Sequence, residues 1–580
     1  MEAVRDFVLG LGGESGEGVV LAGDILNMAA ARMNIHTASF RMFPAEARGG
    51  PSVVKLRLCR DHVYSLGDDY DILVAFNEDA YLLHRPDLAR HGVLLIDGDT
   101  ENSIQQHHPE LADRIVYEVP MTRIARKDVG EPKAKNMVAV GAVAALFGFS
   151  REIIQQNLTE RFSKRSEKML HDNLNAFAAG YDFAATQIDK RDPFELQAAE
   201  GDGLVVLSGN EAVALGALYA GCRFFAGYPI TPASEIMEIL AAELPRVGGA
   251  MIQAEDEIAS MGMVLGAAFA GARAMTATSG PGLSLMAELI GLSSMAEIPC
   301  VIVDVQRGGP STGLPTKTEQ GDFALAVAAT HGEAPHVILA PTTIRDCFEI
   351  MGPSFEIAER YQLPVIVLTE QALGFRRADL PKSLLRNYPK VEVAAVPPDI
   401  GEQARYLRYQ ITESGVSPRA IPGMPGLAHV ATGLEHSEDT KPAYDPSTRR
   451  AMMEKRQRKM ERILGDFATL QRYGDPRPQI GVIGWGSAAG PIREAVELAR
   501  AKGIKAAGLV PRMLLPSPND QIRTFVSSCK KTIVIEGNMT GQYAAFLRSQ
   551  IAGFDPMQAN RYDGLPVQRA DVLRKIEEVA

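Results

Sequence analysis

Short apolar runs alternate with longer amphipathic stretches along most of the chain. A short apolar run bounded by glycine or proline predicts a buried strand, and an amphipathic stretch with helical spacing predicts a helix. The strands predicted in this way are residues 7–11, 204–207, 222–226, 274–277, 300–306, 364–368 and 532–536, with one more within residues 479–487. Over residues 195–395, this alternation indicates a doubly wound parallel sheet with helices on both faces. The chain is therefore predicted to be a multidomain α/β protein.

Breaks in this pattern divide the chain into four predicted regions. A polar linker at residues 188–193 ends a first domain, 1–190, and a second α/β domain follows at 195–395. Residues 396–475 are rich in proline and charge and end in a basic helix, and a last α/β domain occupies 476–580. The acidic residues Glu454 and Glu461 favour a docking or solvated helix over a nucleic-acid arm.

A proline-rich turn follows the predicted strand 222–226. Pro229 and Pro232 fix φ and remove two backbone donors, so the turn is rigid and holds the Thr231 hydroxyl outward. Pro232 also suits the first turn of a helix predicted at 234–240, where unpaired N–H groups favour anions. Taken alone, the motif fits a proline turn without a ligand equally well.

Two further turns follow predicted strands in the same region. Glu257 begins an amphipathic run, and a carboxylate that enters a buried helix needs a partner. The alternative is a solvated acidic patch formed with Glu255 and Asp256. Residues 278–284 form a glycine-rich turn of the kind that lets backbone approach a cofactor closely. This third motif favours a ligand site over the acidic patch.

In this order, the three motifs resemble the pyrimidine-binding domain of thiamine diphosphate enzymes. The segments 228–232 and 306–322 are similar to the α subunits of 2-oxoacid:ferredoxin oxidoreductases, in the form with a γ domain fused ahead of α. Residues 43–50 match the γ pattern, and the resemblance extends over nearly the whole chain. It implies a γ-like domain, a pyrimidine-binding domain and a last domain similar to the transketolase carboxy-terminal domain.

The resemblance also implies an activity and a site. The family decarboxylates a 2-oxoacid oxidatively to acyl-CoA and CO2 while it reduces ferredoxin, and a carboxylate hydrogen-bonds the aminopyrimidine ring of its thiamine diphosphate. Glu257 is the carboxylate that we expect in that role, with Glu255 as the alternative. The expected catalytic residues are Glu257, Thr231 and Arg307. The expected cofactor-binding residues are Tyr228, Pro229, Ile230, Glu257, Ser279, Gly280, Pro281 and Gly282.

Arg307 directly follows the predicted strand 300–306, so its side chain leaves a strand end. A guanidinium in that position can bind a carboxylate in bidentate fashion. A surface arginine in a glycine-rich loop is the alternative. Lys317 and Arg48 are weaker candidates for a second carboxylate or a coenzyme A phosphate, and a solvated charge is the simpler interpretation of each.

The reacting group does not identify the substrate, because many 2-oxoacids share it. The fused γ–α layout and residues 311–317 most resemble 2-oxoglutarate enzymes. Pyruvate, branched-chain and aryl 2-oxoacids remain alternatives, and the reaction could also run as a carboxylation.

Other parts of such an enzyme are missing from the sequence. The five cysteines are isolated, which favours structural burial over iron–sulfur ligation, and we expect no metal site in this chain. Residues 201–203 (Gly-Asp-Gly) lack the asparagine that a diphosphate motif requires, so they are interpreted as the connection into strand 204–207. The resemblance therefore implies a separate β subunit that holds the diphosphate, Mg²⁺ and the iron–sulfur cluster, in an (αβ)₂ heterotetramer that reduces ferredoxin.

The glycine turn at residues 12–18 is phosphate-compatible but weak as a dinucleotide motif, because Glu14 and Glu17 would repel a diphosphate. The family implies coenzyme A there instead. The candidate contacts are Gly12, Gly13 and Ser15. A second glycine turn, 484–487, could also be taken for a nucleotide loop, although an interface domain is the preferred interpretation.

Composition agrees with a cytoplasmic multidomain enzyme. The 580 residues are 46% hydrophobic and 23% charged, with a net charge of −11 that opposes nucleic-acid binding. No uncharged run approaches a membrane span, and the acidic first residues predict no signal or transit peptide. Two other hypotheses stay open: a non-catalytic subunit that braces its partner, and a self-contained thiamine diphosphate decarboxylase or nicotinamide enzyme.

Overall fold

The structure of the chain is a computed structural model. It describes residues 4–42, 50–98, 108, 111, 113–388 and 405–580.

Strands occur throughout the described residues, usually as short buried segments. They are β1 Asp6–Glu14, β2 His36–Met42, β3 Pro51–Cys59, β4 Tyr70–Ala75, β5 Leu88–Asp97, β6 Val116–Val119, β7 Leu204–Ser208, β8 Phe224–Gly227, β9 Ala250–Gln253, β10 Ala274–Thr278, β11 Cys300–Gln306, β12 Val337–Leu339, β13 Pro364–Glu370, β14 Arg377–Pro381, β15 Leu470–Gly474, β16 Ile480–Gly484, β17 Ala506–Pro511, β18 Met513–Leu515, β19 Lys531–Glu536 and β20 Met557–Asn560.

Helices connect most of these strands. They are α1 Val19–Arg32, α2 Glu78–His84, α3 Met121–Arg123, α4 Lys135–Phe147, α5 Arg151–Phe162, α6 Glu167–Gln187, α7 Gly209–Tyr219, α8 Ser234–Glu243, α9 Glu257–Phe269, α10 Gly280–Leu285, α11 Ala287–Met295, α12 Phe323–Ala328, α13 Ile344–Glu349, α14 Met351–Tyr361, α15 Gln371–Gly374, α16 Lys382–Asn387, α17 Pro446–Phe467, α18 Ala489–Ala501, α19 Asn519–Ser527, α20 Gln542–Gln550 and α21 Arg569–Val579.

The chain forms two compact units. One contains residues 1–207 and 376–387, and the other contains 208–375 and 388–580. The first unit has an eight-stranded sheet with the order β6-β5-β4-β1-β3-β2-β14-β7. Its strands β1, β4, β5 and β6 run parallel, whereas β2 and β3 pair antiparallel.

Both faces of this first sheet are covered. Phe7, Leu9 and Leu11 point into one core, which also contains residues of α1, α4 and α6. Val8 lies between them in sequence and belongs to a second core on the other face. The uninterrupted apolar character of residues 7–11 reflects this burial on both sides.

The second unit contains two sheets. The larger has the order β18-β12-β13-β11-β10-β8-β9, and the smaller has the order β15-β17-β16-β19-β20. The strands of the larger sheet are parallel except β18, and those of the smaller are parallel except β15. Side chains from both sheets, among them Ile302, Leu368, Ile483 and Val534, belong to one hydrophobic core.

The predicted α/β class is confirmed, and each of the predicted strands is present with shifts of a few residues at its ends. The division into units adds a feature that the sequence pattern did not indicate. Residues 376–387 return to the first unit, where β14 pairs with β2. The predicted domain boundaries near residues 190, 395 and 475 remain predictions.

The basic helix at 449–459 is part of α17, and its inner face is buried. Lys455 Nζ and Lys459 Nζ each lie 2.5 Å from a carboxylate oxygen of Glu297, and these three side chains are at most 2% exposed. Arg408 also donates to the Glu297 carbonyl oxygen at 2.7 Å. Of the two functions that the sequence left open for this helix, the structure shows docking; Glu454 and Glu461 lie on its exposed side.

Candidate active site

Four loops of the larger sheet leave neighbouring parallel strands at their carboxyl ends. The strands β11, β10, β8 and β9 are adjacent in that order. Because parallel strands end at the same edge of a sheet, the segments that follow them meet there, in a position typical of ligand sites in open α/β sheets. These segments begin at Arg307, Ser279, Tyr228 and Ala254.

The loop after β8 presents its side chains to solvent. Tyr228, Pro229 and Thr231 are exposed, and Ile230 is half-buried. The backbone is held from two directions, because Arg307 Nη1 donates to the Thr231 carbonyl oxygen at 2.7 Å and Asn210 Nδ2 donates to that of Pro232 at 3.0 Å. The structure thus brings Thr231 and Arg307 into direct contact.

Three acidic residues at the start of α9 have different environments. Asp256 caps the helix, since its carboxylate accepts from Ala259 N at 2.7 Å. Glu255, which precedes the helix, is exposed, whereas Glu257, the first helical residue, is only 6% exposed. The solvated patch suggested as an alternative therefore describes Glu255 and Asp256 but not Glu257.

The glycines of the predicted turn after β10 lie in the first turn of α10. Their missing side chains leave room for carboxylates of the same chain. A Cβ on Gly280 would lie 2.5 Å from both carboxylate oxygens of Asp322, and one on Gly282 would lie 2.7 Å from Glu257 Oε1. Ser279 is buried, and Pro281 is half-buried. The groups that approach these two glycines closely are thus the carboxylates of Asp322 and Glu257.

Arg307 interacts with the half-buried Asp322, which in turn interacts with the buried Asp304. Arg307 is 8% exposed, and burial lowers the pKa of its guanidinium while the charge of Asp322 opposes that effect. Burial, helped by Glu319, raises the pKa of Asp322 to about 6. Asp304 in β11 is completely buried, and burial together with Asp322 raises its pKa well above the usual range. Within the described residues, neither Asp304 oxygen has a hydrogen-bond partner.

Comparison with known protein families agrees with this geometry. Residues 215–455 match the model for pyruvate flavodoxin/ferredoxin oxidoreductase, thiamine diphosphate-binding. Residues 8–183 match pyruvate ferredoxin/flavodoxin oxidoreductase, and 479–566 match pyruvate:ferredoxin oxidoreductase core domain II. A curated relative, 2-oxoglutarate oxidoreductase subunit KorA of Mycobacterium tuberculosis, is 33% identical over 95% of this chain and 88% of its own length. The chain belongs to the 2-oxoacid:ferredoxin oxidoreductase family.

Its place in the family is that of an α subunit. The 2-oxoacid:ferredoxin oxidoreductase 2 subunit alpha of Aeropyrum pernix is 29% identical over 99% of this chain and 98% of its own length. A solved structure, the 2-oxoglutarate:ferredoxin oxidoreductase from Magnetococcus marinus with 2-oxoglutarate, coenzyme A and succinyl-CoA bound, matches with a TM-score of 0.93. That match has 37% identity and covers 99% of each chain. The resemblance inferred from the sequence motifs is confirmed.

The amino-terminal candidates of this oxidoreductase subunit are arranged differently from the prediction. Gly12 and Gly13 lie within β1, so that Ser15 alone of the three belongs to the turn. The Glu17 carboxylate accepts from Glu14 N and from Asn77 Nδ2, both at 2.8 Å, and lies 3.4 Å from Lys135 Nζ. An acidic side chain of the chain itself therefore binds the last amide of β1, directly before this turn. Arg48 and residues 43–49 lie outside the described residues.

The structure also shows where the predicted cysteines and the two remaining glycine motifs lie. Cys59, Cys222, Cys300 and Cys347 are buried as predicted, whereas Cys529 is partly exposed. Residues 201–203 lead directly into β7. In the described part of the chain, no group of three or more metal-binding side chains is present. Among the described helices, none has the length and apolar composition needed to cross a membrane. The glycine turn 484–487 binds a group of this chain, since Ser487 N donates to Glu370 Oε1 at 2.6 Å.

Sequence reasoning missed several residues that shape the site. Asp322 acts on the charge of Arg307, Asp304 interacts with Asp322, and Asn210 holds the proline loop. An aspartate within the apolar run of β11 was a visible signal, because a carboxylate there had to be buried. Nothing in the sequence indicated the contact between Asn210 and Pro232, since that contact depends on the tertiary packing of α7 against α8.

Proposed function

We propose that Glu257 is the carboxylate that binds the aminopyrimidine ring of thiamine diphosphate in this α subunit. It is buried at the start of α9, next to α10, in a region that matches a thiamine diphosphate-binding family model. Asp256 already caps the helix, so that Glu257 is not needed for that purpose. A buried carboxylate beside a ring nitrogen can hold a proton at that atom, which is the assistance the cofactor requires.

Bound thiamine diphosphate would supply the carbon nucleophile and the electron sink for decarboxylation. The exposed residues Tyr228 and Pro229, with Ile230 beneath them, and the helix start at Ser279–Gly282 would form the walls of its pyrimidine site. This chain's task is then to orient the ring, to hold a proton through Glu257 and to keep water from the ring edge that Glu257 faces.

The substrate carboxylate is assigned to Arg307 and the Thr231 hydroxyl. Arg307 is held by its bond to the Thr231 carbonyl, and its Nε has no partner within the described residues. A guanidinium held in this way, with a buried donor left unsatisfied, suits a carboxylate. The exposed Thr231 hydroxyl beside it can donate a further hydrogen bond.

A separate β subunit is proposed to complete the site. Large apolar side chains are exposed on β9, on α9, which Glu257 begins, and on α10, namely Ile252, Ile258, Met263 and Leu285. Exposed apolar side chains on these elements support a surface that a partner covers. We assign the diphosphate site, Mg²⁺ and the iron–sulfur cluster to that partner, in a cytoplasmic (αβ)₂ heterotetramer with ferredoxin as electron acceptor.

The proposed reaction is oxidative decarboxylation of 2-oxoglutarate to succinyl-CoA and CO2. Support comes from the solved relative bound to 2-oxoglutarate, coenzyme A and succinyl-CoA, and from the curated 2-oxoglutarate oxidoreductase. Coenzyme A is accordingly the proposed acyl acceptor. Of its candidate contacts, Ser15 is retained, because Gly12 and Gly13 lie within a buried strand.

The buried position of Glu257 carries the proposal, and a matched pair of variants tests it. In the αβ complex, Glu257→Gln should assemble normally but lose 2-oxoacid decarboxylation by about 100-fold or more. Glu255→Gln changes an exposed carboxylate two residues earlier and should retain near-normal turnover. Normal turnover by Glu257→Gln would instead support a subunit that only braces its partner.

Substrate choice needs its own measurement. Ferredoxin reduction by the complex, with coenzyme A present, should be fastest with 2-oxoglutarate among pyruvate, branched-chain and aryl 2-oxoacids. Equal kcat/KM values for pyruvate and 2-oxoglutarate would contradict the assignment.

A further inference from the structure

The loop that carries Arg307 is held to the smaller sheet through one buried side chain. This loop, residues 307–322, connects β11 to α12. Gln320 lies near its end and is 3% exposed. Its Nε2 donates to the Trp485 carbonyl oxygen at 3.1 Å, and its Oε1 accepts from Gly537 N at 2.8 Å. Trp485 follows β16 and Gly537 follows β19, so Gln320 joins two strand ends of the other sheet.

Backbone contacts reinforce this connection. Gln320 N donates to the Gly537 carbonyl oxygen at 2.7 Å, and its carbonyl oxygen accepts from Asn538 Nδ2 at 3.1 Å. The Gln542 side chain adds two hydrogen bonds at the same end of the loop. Its Nε2 donates to the Gly321 carbonyl oxygen and its Oε1 accepts from Ala324 N, both at 2.8 Å. A fully bonded buried amide of this kind fixes one geometry.

The anchoring groups are themselves fixed. The Glu536 carboxylate is completely buried and accepts from Tyr543 N, Ala544 N and Asn538 Nδ2 at 2.8 to 2.9 Å. Gly541 N donates to Asn538 Oδ1 at 2.7 Å. The turn after β19 is therefore a rigid support for the loop.

The anchored end of the loop is bonded to the end that carries Arg307. Glu319, adjacent to Gln320, accepts from Gly309 N at 3.1 Å, and Gly308 N donates to the Lys317 carbonyl oxygen at 3.0 Å. Asp322 N donates to Gln306 Oε1 at 2.9 Å, directly before Arg307. Residues two and three positions from Gln320, namely Asp322 and Lys317, are thus hydrogen-bonded to the two neighbours of Arg307.

We propose that Gln320 is a positioning residue, through which the smaller sheet sets the placement of Arg307 for the substrate carboxylate. The inference rests on the proposed role of Arg307. Through Gln320, the carboxy-terminal region, residues 476–580, would influence substrate binding although none of its own residues is assigned to the site.

The test compares Gln320→Ala with Gln550→Ala in the αβ complex. Gln550 is exposed at the end of α20 and bonds only Asn519 and Ser549 side chains among the described residues. Hydrogen–deuterium exchange should become several-fold faster in the peptide spanning residues 307–319 of Gln320→Ala. KM for 2-oxoglutarate should rise about tenfold with kcat within about twofold, as expected when binding geometry alone is lost. Gln550→Ala should change neither quantity.

Unchanged exchange in residues 307–319 would overturn the inference. Arg307→Lys, measured in parallel, separates it from the proposed function. If Arg307→Lys raises KM and Gln320→Ala does not, the positioning role is wrong; if neither raises KM, the proposed role of Arg307 is wrong and the inference falls with it. Should Gln320→Ala fail to fold, Gln542→Ala removes the two neighbouring loop bonds and must then give the same changes in exchange and KM.

Discussion

The carboxylate of Glu257 occupies the space that a side chain at Gly282 would need. A Cβ on Gly282 would lie 2.7 Å from Glu257 Oε1 and Cγ and 2.0 Å from Thr278 Oγ1. Real Cβ atoms do not approach heavy atoms so closely, so an added methyl group must displace Glu257 or Thr278. The glycine therefore sets the position of the proposed cofactor carboxylate.

Replacement of Gly282 by alanine should reduce kcat for 2-oxoacid decarboxylation by about 100-fold, because a shift of about 1 Å in a catalytic group has effects of that size. Overpacking should also lower the free energy of unfolding by about 1–3 kcal/mol. Steady-state kinetics and denaturant unfolding check both expectations. Gly465→Ala is the control, since that helical glycine has no heavy atom within 4 Å of the added Cβ. Equal kinetics for the two variants would show that Gly282 does not position Glu257.

The Asp304–Asp322 pair predicts a pH-dependent affinity for the substrate. Burial and the neighbouring Glu319 raise the pKa of Asp322 to about 6, and Asp304 and Arg307 are the other charged or titratable groups that act on it. Asp322 is neutral below this pH and anionic above it. As an anion it competes with the substrate carboxylate for Arg307, so KM for the 2-oxoacid should rise several-fold between about pH 6 and pH 7.5.

Asp322→Asn should abolish this rise, because the amide stays neutral throughout. The matched control, Asp563→Asn, alters a surface carboxylate that pairs with Arg561. KM should be followed from pH 5.5 to 8 in all three proteins. A rise that persists in Asp322→Asn would assign the titration to another group.

Much of the fold and part of the site could be predicted from sequence, because both depend on local patterns. The apolar runs indicated the strands. The prolines of 228–232 indicated a loop held at a strand end, and the glutamate that begins α9 indicated a buried carboxylate. Parallel strand ends then had to meet at one edge, which is a property of the sheet class.

What could not be predicted depends on contacts between distant residues. The close approach of Asp322 to Gly280 and of Glu257 to Gly282 had no signal in the sequence. Nothing in the sequence distinguishes Gln320 from other loop residues, because its hydrogen-bond partners Trp485 and Gly537 lie more than 160 residues away. The return of β14 to the first sheet likewise depends on pairing with β2 and left no periodic signal.

Glu297 is predicted to be important for the stability of the second unit. Burial alone would raise its pKa, but Lys459 and Lys455 hold the pKa at about 2. Glu297→Gln would leave two buried lysines without a counter-charge and should lower the free energy of unfolding by about 3–5 kcal/mol. Glu243→Gln breaks an exposed pair with Arg246 and should cost less than about 1 kcal/mol. Urea unfolding measures both. Equal, small losses would mean that the buried cluster does not hold α17 in place.

The His36–Asp379 pair should make stability of the first unit pH-dependent. His36 Nδ1 lies 2.7 Å from Asp379 Oδ2, and this hydrogen bond raises the pKa of His36 against the opposing effect of burial. Because the folded-state pKa exceeds the unfolded value of about 6.5, the contribution is fully present below that pH. It is lost as the pH rises through the folded-state pKa.

His36→Asn should therefore lower the free energy of unfolding by about 1–2 kcal/mol at pH 5.5 and by clearly less at pH 9. Because Asp379 lies in β14, hydrogen exchange in residues 376–387 should increase together with this loss. His171→Asn serves as the control, since His171 is exposed and its side chain bonds Asn175 one turn along α6. A destabilisation by His36→Asn that is the same at both pH values would exclude the charged pair as its cause, and would leave the neutral contacts of the His36 ring as the explanation.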